Sequence, residues 1–408
     1  MAARVSRPFW ADALLFLPEG YIMSEAYIVA ATRTAGGRRK GALAGVHPAD
    51  LGAVVLNELI RRSGAPGEAI DDVIVGCVTQ GGEQSYAFGR NLVLASRLPQ
   101  SVPAVTIDRQ CGSSQQAVHF AAQAVMSGVQ DLVIAAGVES MTRVPMGTNY
   151  TLYEKAEIGV GPFSEAILDR YKVKGFSQFK GAQMVADKYG LNRDEMDAFA
   201  LQSHRRAAAA IEAGAFREEI VPVKTAGGLV DQDEGVRFDA SLEAMASVKP
   251  LLEGGSITAA NASQMTDGAS GVLVASEAAV KRYGLKPIAR VHGMAVTAGD
   301  PVMMLDEPGP ATRRVLERSG MTLADIDLFE VNEAFASVPM GWLKDLGVDA
   351  AKVNVNGGAI ALGHPLGATG TKLMTTLIHA LKARGGRYGL QTMCEGGGIA
   401  NATIIEVL

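Results

Sequence analysis

The chain has 408 residues, 48% of them hydrophobic and 20% charged, and a formal net charge of −5, a composition that suits a globular protein of roughly two or three domains. The acidic balance, with no Lys/Arg block, leaves no footprint for nucleic acid or for an acidic membrane surface. Three cysteines, Cys77, Cys111 and Cys394, are too few and too scattered for a disulfide framework, and no Cys-x-x-Cys or His-x-x-x-His pair offers metal ligands, so a reducing, cytoplasmic setting and no metal are expected.

Residues 1–22 lack clear periodicity, and their short apolar run is interrupted by Asp12, Pro18 and Glu19. That run is too short for a membrane span, and the reading is an upstream extension with Met23 as the functional start. From Ala26 apolar strand-like runs alternate with amphipathic helical ones: AYIVAATR, ADLGAVVLNELIRRSG, DDVIVGCV, a helix after Cys111, then DLVIAAGVES. This β-α-β-α-β order predicts a layered α/β domain. From about Met141 to Gln264 the pattern loosens into helical stretches such as FKGAQMVADKYG and RDEMDAFALQSHRRAAAAIEAG, read as an inserted, helix-rich segment.

The last part of the chain repeats the first scheme: ARVHGMAV, PATRRVLERSG, DIDLFEVNEAF, a glycine-rich run into the helix TKLMTTLIHALKARG, and YGLQTMCEGG. The closest internal match sets DDVIVGCV beside IDLFEVNE, each strand ending at a polar residue, Cys77 or Asn332; DLVIAAG and YGLQTMC correspond in the same way. A repeat of this length implies two copies of one fold. The expected organisation is an extension at 1–22, a first half at 23–140 plus 265–286, an insert at 141–264 and a second half at 287–408. In open α/β sheets ligands bind outside the carboxyl ends of strands, so reactive residues should converge there.

Four motifs sit at such ends. In DRQCGSSQQA, Cys111 stands where an extended run hands over to a helix; unpaired amides and the positive end of the helix dipole would favour thiolate there, although a small buried residue at a strand-to-helix turn is the alternative. In GGAIALGHPLGATG, His364 is the one histidine of six set in a glycine-rich loop, where it is a base or simply a turn residue. Asn332 opens NEAFA at a strand-to-helix junction, as a functional carboxamide or an N-cap. Cys394 opens CEGGGIANA, whose glycines leave backbone amides free to converge on one oxygen.

Two thiols, an imidazole, a carboxamide and a run of amides, in this order and with these flanks, resemble the thiolase family, the acyl-CoA:acetyl-CoA C-acyltransferases, over nearly the whole chain from Met23. The resemblance implies a duplicated five-layer α-β-α-β-α fold and a homodimer or homotetramer. It implies no permanently bound cofactor, with coenzyme A and acyl-CoA thioesters as substrates. It makes Cys111 the nucleophile that carries the acyl group, His364 the acceptor of its proton, and Cys394 the acid–base group at the α-carbon of acetyl-CoA. Asn332 (through a water) with His364 would form one oxyanion site, the amides of Cys111 and Gly396 the other.

By the same resemblance the insert binds coenzyme A: TAANASQMTDGA supplies Ala259 and Ser263, Arg237 lies against the adenine, and Ala334 and Phe335 wall the pantetheine tunnel. Arg237 could equally be a solvated surface charge and Phe335 a core residue. The sequence departs from short-chain biosynthetic members, which carry a His-Met pair where Gln178 and Phe179 lie nearby, and from the usual glycine-rich segment before PATR, here LDEPGPATR. A degradative enzyme with a broader acyl pocket is therefore expected. The alternatives are a decarboxylating ketoacyl synthase, opposed by the second thiol, a non-catalytic thiolase-like lipid or CoA carrier, and a redox-sensing dithiol protein.

Overall fold

The apolar runs become strands wherever helices cover both of their faces. The computed structural model describes residues 25–408; the extension at 1–22 and the start at Met23 lie outside them. The strands in chain order are β1 (Ala26–Arg33), β2 (Gly37–Arg38), β3 (Asp72–Gly76), β4 (Ala104–Ile107) and β5 (Leu132–Ser140). A hairpin of β6 (Val223–Thr225) and β7 (Gly228–Val230) comes next; β8 (Thr266–Ser276), β9 (Ala289–Ala298), β10 (Leu328–Val331), β11 (Tyr388–Glu395) and β12 (Ile399–Val407) follow. Every residue of β5 and of β8 is buried, as expected for central strands sandwiched between helical layers.

The main sheet runs β10-β11-β12-β9-β1-β8-β5-β3-β4, with β2 added on β8. Its halves meet only at Tyr27 with Arg290 and Ile28 with Ala289, so it consists of two sheets joined at one edge. Each half has the same order. The first strand pairs antiparallel with the last, β1 with β8 and β9 with β12. The last pairs antiparallel with β5 or β11, which pairs parallel with β3 or β10. Beyond β3 lies β4, parallel; beyond β10 the equivalent strand is reduced to a single parallel bridge, Phe329 with Val353. The duplication read from the sequence is thus a duplication of topology, and the equivalence of β3 to β10 and of β5 to β11 is the one the internal match gives.

Helix Pro48–Ser63 packs on β1, β5 and β8 on one outer face, and helix Pro308–Ser319 on β9, β11 and β12 on the other. Between the two sheets lie helices Ser113–Met126 and Thr369–Arg384, which touch each other and strands of both halves, completing five layers. Being buried nearly all round, these central helices satisfy their polar groups internally: Gln115 donates to the Gln391 carbonyl at 3.2 Å and to Thr403 Oγ1 at 2.8 Å, and the latter also meets His119 Nε2 at 2.7 Å. Their closest approach needs Gly370, where a Cβ would fall 2.1 Å from the backbone nitrogen of Gln115. The stretch between β5 and β8 carries helices Thr148–Ala156, Glu165–Tyr171, Gln178–Lys188, Arg193–Glu212 and Leu242–Ala246 besides the β6–β7 hairpin. The longest begins with a reciprocal cap between Asn192 and Glu195. Among the described residues no helix is long and apolar enough to cross a membrane.

Candidate active site

The duplicated topology puts Cys111 and His364 at equivalent places, each in the loop that leads into a central helix, Ser113–Met126 for one and Thr369–Arg384 for the other. Asn332 immediately follows β10 and Cys394 lies near the end of β11; the two strands run parallel, and Asn332 N donates to the Thr392 carbonyl at 3.1 Å. The carboxyl ends of the second sheet therefore bring a carboxamide and a thiol side by side.

Cys111 is held in a tight turn. Gly112 N donates to the Arg109 carbonyl at 3.1 Å, Ser113 N to the Gln110 carbonyl at 3.0 Å, and Gln110 takes the left-handed conformation, φ 48°. A non-glycine residue in that region carries strain that surrounding contacts must hold. Asp108 supplies one such contact, accepting from Gln110 N at 2.7 Å, and Ser113 Oγ accepts from Arg109 N at 2.9 Å. Cys111 is half-buried and packs on the cluster of Val78, Met141 and Leu366, with Met146 beside it. Leu366 comes from the loop that carries His364, so the two loops share a wall. Cys394 is fully buried, in the same apolar cluster as Ala334 and Phe335.

The electrostatics differ from the sequence-based expectation for Cys111. Burial, with the nearby carboxyls of Glu395, Glu139 and Asp108, pushes its thiol up to about 12, opposed only by its own amide. The helix terminus is less effective than the sequence suggests because the Ser113 amide is already spent on Gln110. Burial first, then the charges of Cys111 and Glu395, likewise raise Cys394 well above an ordinary thiol. Both thiols are thus held in the protonated form at neutral pH, and a nucleophilic role for Cys111 would need a base.

His364 fits that task. Burial and the charge of Lys372 lower its pKa to about 3, leaving a neutral imidazole. Thr369 Oγ1 gives its hydrogen to the Pro365 carbonyl at 2.9 Å and lies 2.6 Å from His364 Nδ1. Nδ1 is therefore the protonated nitrogen and Nε2 the acceptor. Asn332 Nδ2 faces Nε2 at 3.5 Å, while Asn332 Oδ1 is buried without a hydrogen-bond partner among the described residues. Gly396 follows Cys394 at the turn into β12, against Gln110 of the Cys111 loop: a Cβ on Gly396 would lie 2.8 Å from Gln110 Oε1.

A surface pocket opens next to this centre. Arg237 and Ala259 line it together with His204, Gln264 and Ile360. Gln264 also reaches the His364 loop, its carbonyl accepting from His364 N at 3.1 Å. Ser263, Ala334 and Phe335 do not line the pocket. They form the joint behind it: Ser263 N donates to the Ala334 carbonyl at 2.9 Å, Ala336 N to the Asn261 carbonyl at 2.8 Å, and Ala262 bridges Phe335. The structure thus gathers Cys111, Cys394 and Gly396 around one loop and Asn332 with His364 beside it, and sets Arg237 and Ala259 at the mouth of the adjoining pocket.

Four residues missed from sequence complete the setting. Glu139 is buried and accepts from the amides of Val78, Thr79 and Gly367, tying the wall behind Cys111 to the His364 loop. Glu333 accepts from Ser203 Oγ, Asn354 Nδ2 and Ile360 N, fixing NEAFA to the same loop. Thr369 sets the imidazole tautomer, and Glu395 lies buried beneath Gly112, where burial raises its carboxyl well above the usual range and the charge of Arg109 opposes the shift. The one signal available was a carboxylate inside an otherwise apolar strand end, as in DLVIAAGVES.

Residues 26–278 match the family description "Thiolase, N-terminal domain" and residues 285–407 "Thiolase, C-terminal domain". A steroid 3-ketoacyl-CoA thiolase, FadA6 of Mycobacterium tuberculosis (strain ATCC 25618 / H37Rv), is 54% identical over 95% of this chain and 96% of its own. A 3-ketoacyl-CoA thiolase of Bacillus subtilis (strain 168) is 41% identical over 94% of this chain and 100% of its own. The crystal structure of the Bacillus anthracis acetyl-CoA acetyltransferase superimposes with a TM-score of 0.86 at 37% identity, covering 95% of this chain and 99% of the other. With both halves matched by sequence and the duplicated architecture matched in space, the chain belongs to the thiolase family and is an acyltransferase.

Proposed function

We propose that the chain is a degradative thiolase that converts a 3-ketoacyl-CoA and coenzyme A to a shortened acyl-CoA and acetyl-CoA. The observation that carries this reading is a half-buried thiol on a wall shared with the loop of a neutral imidazole of fixed tautomer, with a fully buried second thiol close enough to feel its charge. Cys111 Sγ attacks the 3-keto carbon while His364 Nε2 takes the thiol proton. The bond between C2 and C3 breaks, the acyl group stays on Cys111, and Cys394 protonates the departing acetyl-CoA carbanion. Coenzyme A then takes the acyl group, its thiol proton returning through the same groups.

Developing negative charge on one thioester oxygen is met by His364 and by a water on Asn332, whose unpartnered Oδ1 suits that role. The amides of Cys111 and Gly396 meet the other. The insert, residues 141–264, binds coenzyme A, with Arg237 and Ala259 at the pocket mouth, Ser263 at the pantetheine and Ala334 and Phe335 backing it. No permanently bound cofactor takes part.

The acyl group is larger than acetyl and of ring-derived type. The 54% identity to a protein named a steroid 3-ketoacyl-CoA thiolase supports this, against 42% for one named acetyl-CoA acetyltransferase, from Chromobacterium violaceum. The enzyme works in the cytoplasm as at least a homodimer: β4 ends the sheet with its outer edge unpaired, and Val105 and Phe120 are 44% and 40% exposed there.

Incubation with acetyl-CoA alone should acetylate Cys111, as read by peptide mass mapping. Cys111→Ala should abolish both acylation and turnover; Cys394→Ala should still acylate but exchange acetyl-CoA α-protons slowly. Label on Cys394 or Cys77, or unimpaired exchange in Cys394→Ala, would reverse the assignments.

A further inference from the structure

We propose that Lys372 is a positioning residue for acyl transfer, its ammonium clamping the backbone that carries His364 and coupling that backbone to the insert through a buried charge network. The inference rests on the proposed role of His364 as the base.

Lys372 lies in the first turn of helix Thr369–Arg384 and is 5% exposed. A cation at a helix N-terminus opposes the dipole, and a buried cation is costly unless paired, so neither helix stability nor solvation explains a lysine here. Its contacts do. Nζ donates to the carbonyl of Leu362 at 2.5 Å and to that of Gly363 at 3.0 Å, the two peptide groups immediately before His364. His364 N donates in turn to the Gln264 carbonyl and to Thr266 Oγ1, each at 3.1 Å. The imidazole therefore hangs from a peptide held on one side by Lys372 and on the other by the edge of the pocket.

The charges that face Lys372 are Asp233, Arg33 and Glu219. Arg33 forks onto Asp233 at 2.8 and 3.0 Å and reaches Glu219 at 2.6 Å, and Thr376 donates to Glu219 at 3.0 Å. Two cations and two carboxylates thus balance inside the protein, which is what keeps such a cluster tolerable. Asp233 and Glu219 belong to the insert, and Asp233 lies in the short segment that ends at Arg237 in the pocket wall. The charge of this cluster acts on Lys372, and Lys372 in turn holds the peptides that precede His364. Lys372 is also the charged group acting on His364, and with burial it keeps the imidazole neutral and able to accept a proton.

The test uses the full chain, with Lys372→Met and Lys372→Arg compared in thiolysis and in acetylation of Cys111 by acetyl-CoA. Lys372→Met should lower kcat at least about tenfold while the KM for coenzyme A stays within about twofold. The acid limb of its pH profile should move to higher pH, since loss of the cation lets His364 bind a proton more readily. Lys372→Arg should recover most of kcat and return the limb. If Lys372→Met does not fold, the pair Lys372→Met/Asp233→Asn removes one charge of each sign and gives the same two readings. A kcat within twofold with an unmoved limb, or an arginine variant as impaired as the methionine one, overturns the inference. Absence of thiolysis and of Cys111 acylation in the unsubstituted chain would instead overturn the proposed function.

Discussion

A Cβ on Gly112 would fall 1.8 Å from Oε1 of Glu395. The residue after Cys111 is therefore a glycine because a carboxyl fills the space its side chain would need, whatever its backbone angles; its φ of −86° is open to any residue. Gly112→Ala should destabilise the protein by about 1–3 kcal/mol, the usual cost of overpacking. Adding Glu395→Ala should restore most of the loss, because it removes the carboxyl that the new Cβ would strike. Chemical denaturation of the two single variants and the double variant checks this; additive losses would show that the contact does not decide the residue.

Thr369 offers a second test, on the tautomer. Thr369→Val keeps the shape but leaves the Nδ1 hydrogen of a buried imidazole without an acceptor, at a cost of about 1–3 kcal/mol, which the imidazole can avoid by moving its hydrogen to Nε2. The nitrogen that should accept from the thiol is then blocked. We expect kcat to fall about tenfold or more in Thr369→Val and to stay near the unsubstituted level in Thr369→Ser. Equal kcat in all three proteins would mean that the hydroxyl does not set the tautomer.

The outline of this centre was legible in sequence because the duplicated strands end in unlike polar residues. Cys77 and Asn332 close equivalent strands, and Cys111 and His364 precede equivalent helices; the topology then brings them together. What was not legible is what lies behind them. Glu139, Glu333, Glu395 and Lys372 act through partners some 10 to 280 residues away, and a charged residue in an apolar run carries no mark of which amide or carbonyl will meet it. The insert shows the same limit. Its helices follow from apolar periodicity, but Arg237 and Ala259 share a pocket through long-range bonds such as that of Gln264 Nε2 to the Gly235 carbonyl, which no local pattern marks.

The resting state of Cys111 has a direct signature in pH. With the thiol pushed up to about 12, the thiolate fraction is small at neutral pH and grows tenfold per unit as pH rises toward that value. The rate of alkylation of Cys111 by iodoacetamide should therefore climb with a logarithmic slope near one from about pH 7 to about pH 10, without a plateau. Buried Cys394 and Cys77 should stay unmodified in the folded protein. A plateau below about pH 8 would reveal a thiolate already formed at rest, the state that a helix terminus and an imidazolium would create.

The acyl pocket gives the last prediction. Met146 packs beside Cys111 on the cluster of Val78, Met141 and Leu366, and Gln178 Nε2 approaches its sulfur at 3.9 Å. On the proposed role of Cys111, this wall is the surface nearest to an acyl group carried on its sulfur. Methionine is flexible and polarizable, and fills or yields space according to what lies against it. A wall of this kind suits a bulky or ring-derived acyl group, and each methylene gained or lost in an apolar pocket is worth about 1–3 kcal/mol of discrimination. Catalytic efficiency should thus be higher for longer 3-ketoacyl-CoA thioesters than for acetoacetyl-CoA. Met146→Phe, which replaces an adaptable side chain with a rigid ring, should lower kcat/KM for the longer substrates by about tenfold and leave acetoacetyl-CoA within about twofold. Steady-state thiolysis across a graded series of 3-ketoacyl-CoA thioesters measures both. A strict preference for acetoacetyl-CoA in the unsubstituted enzyme would sink the broad-pocket reading, and an equal loss on all substrates in Met146→Phe would place Met146 outside the acyl path.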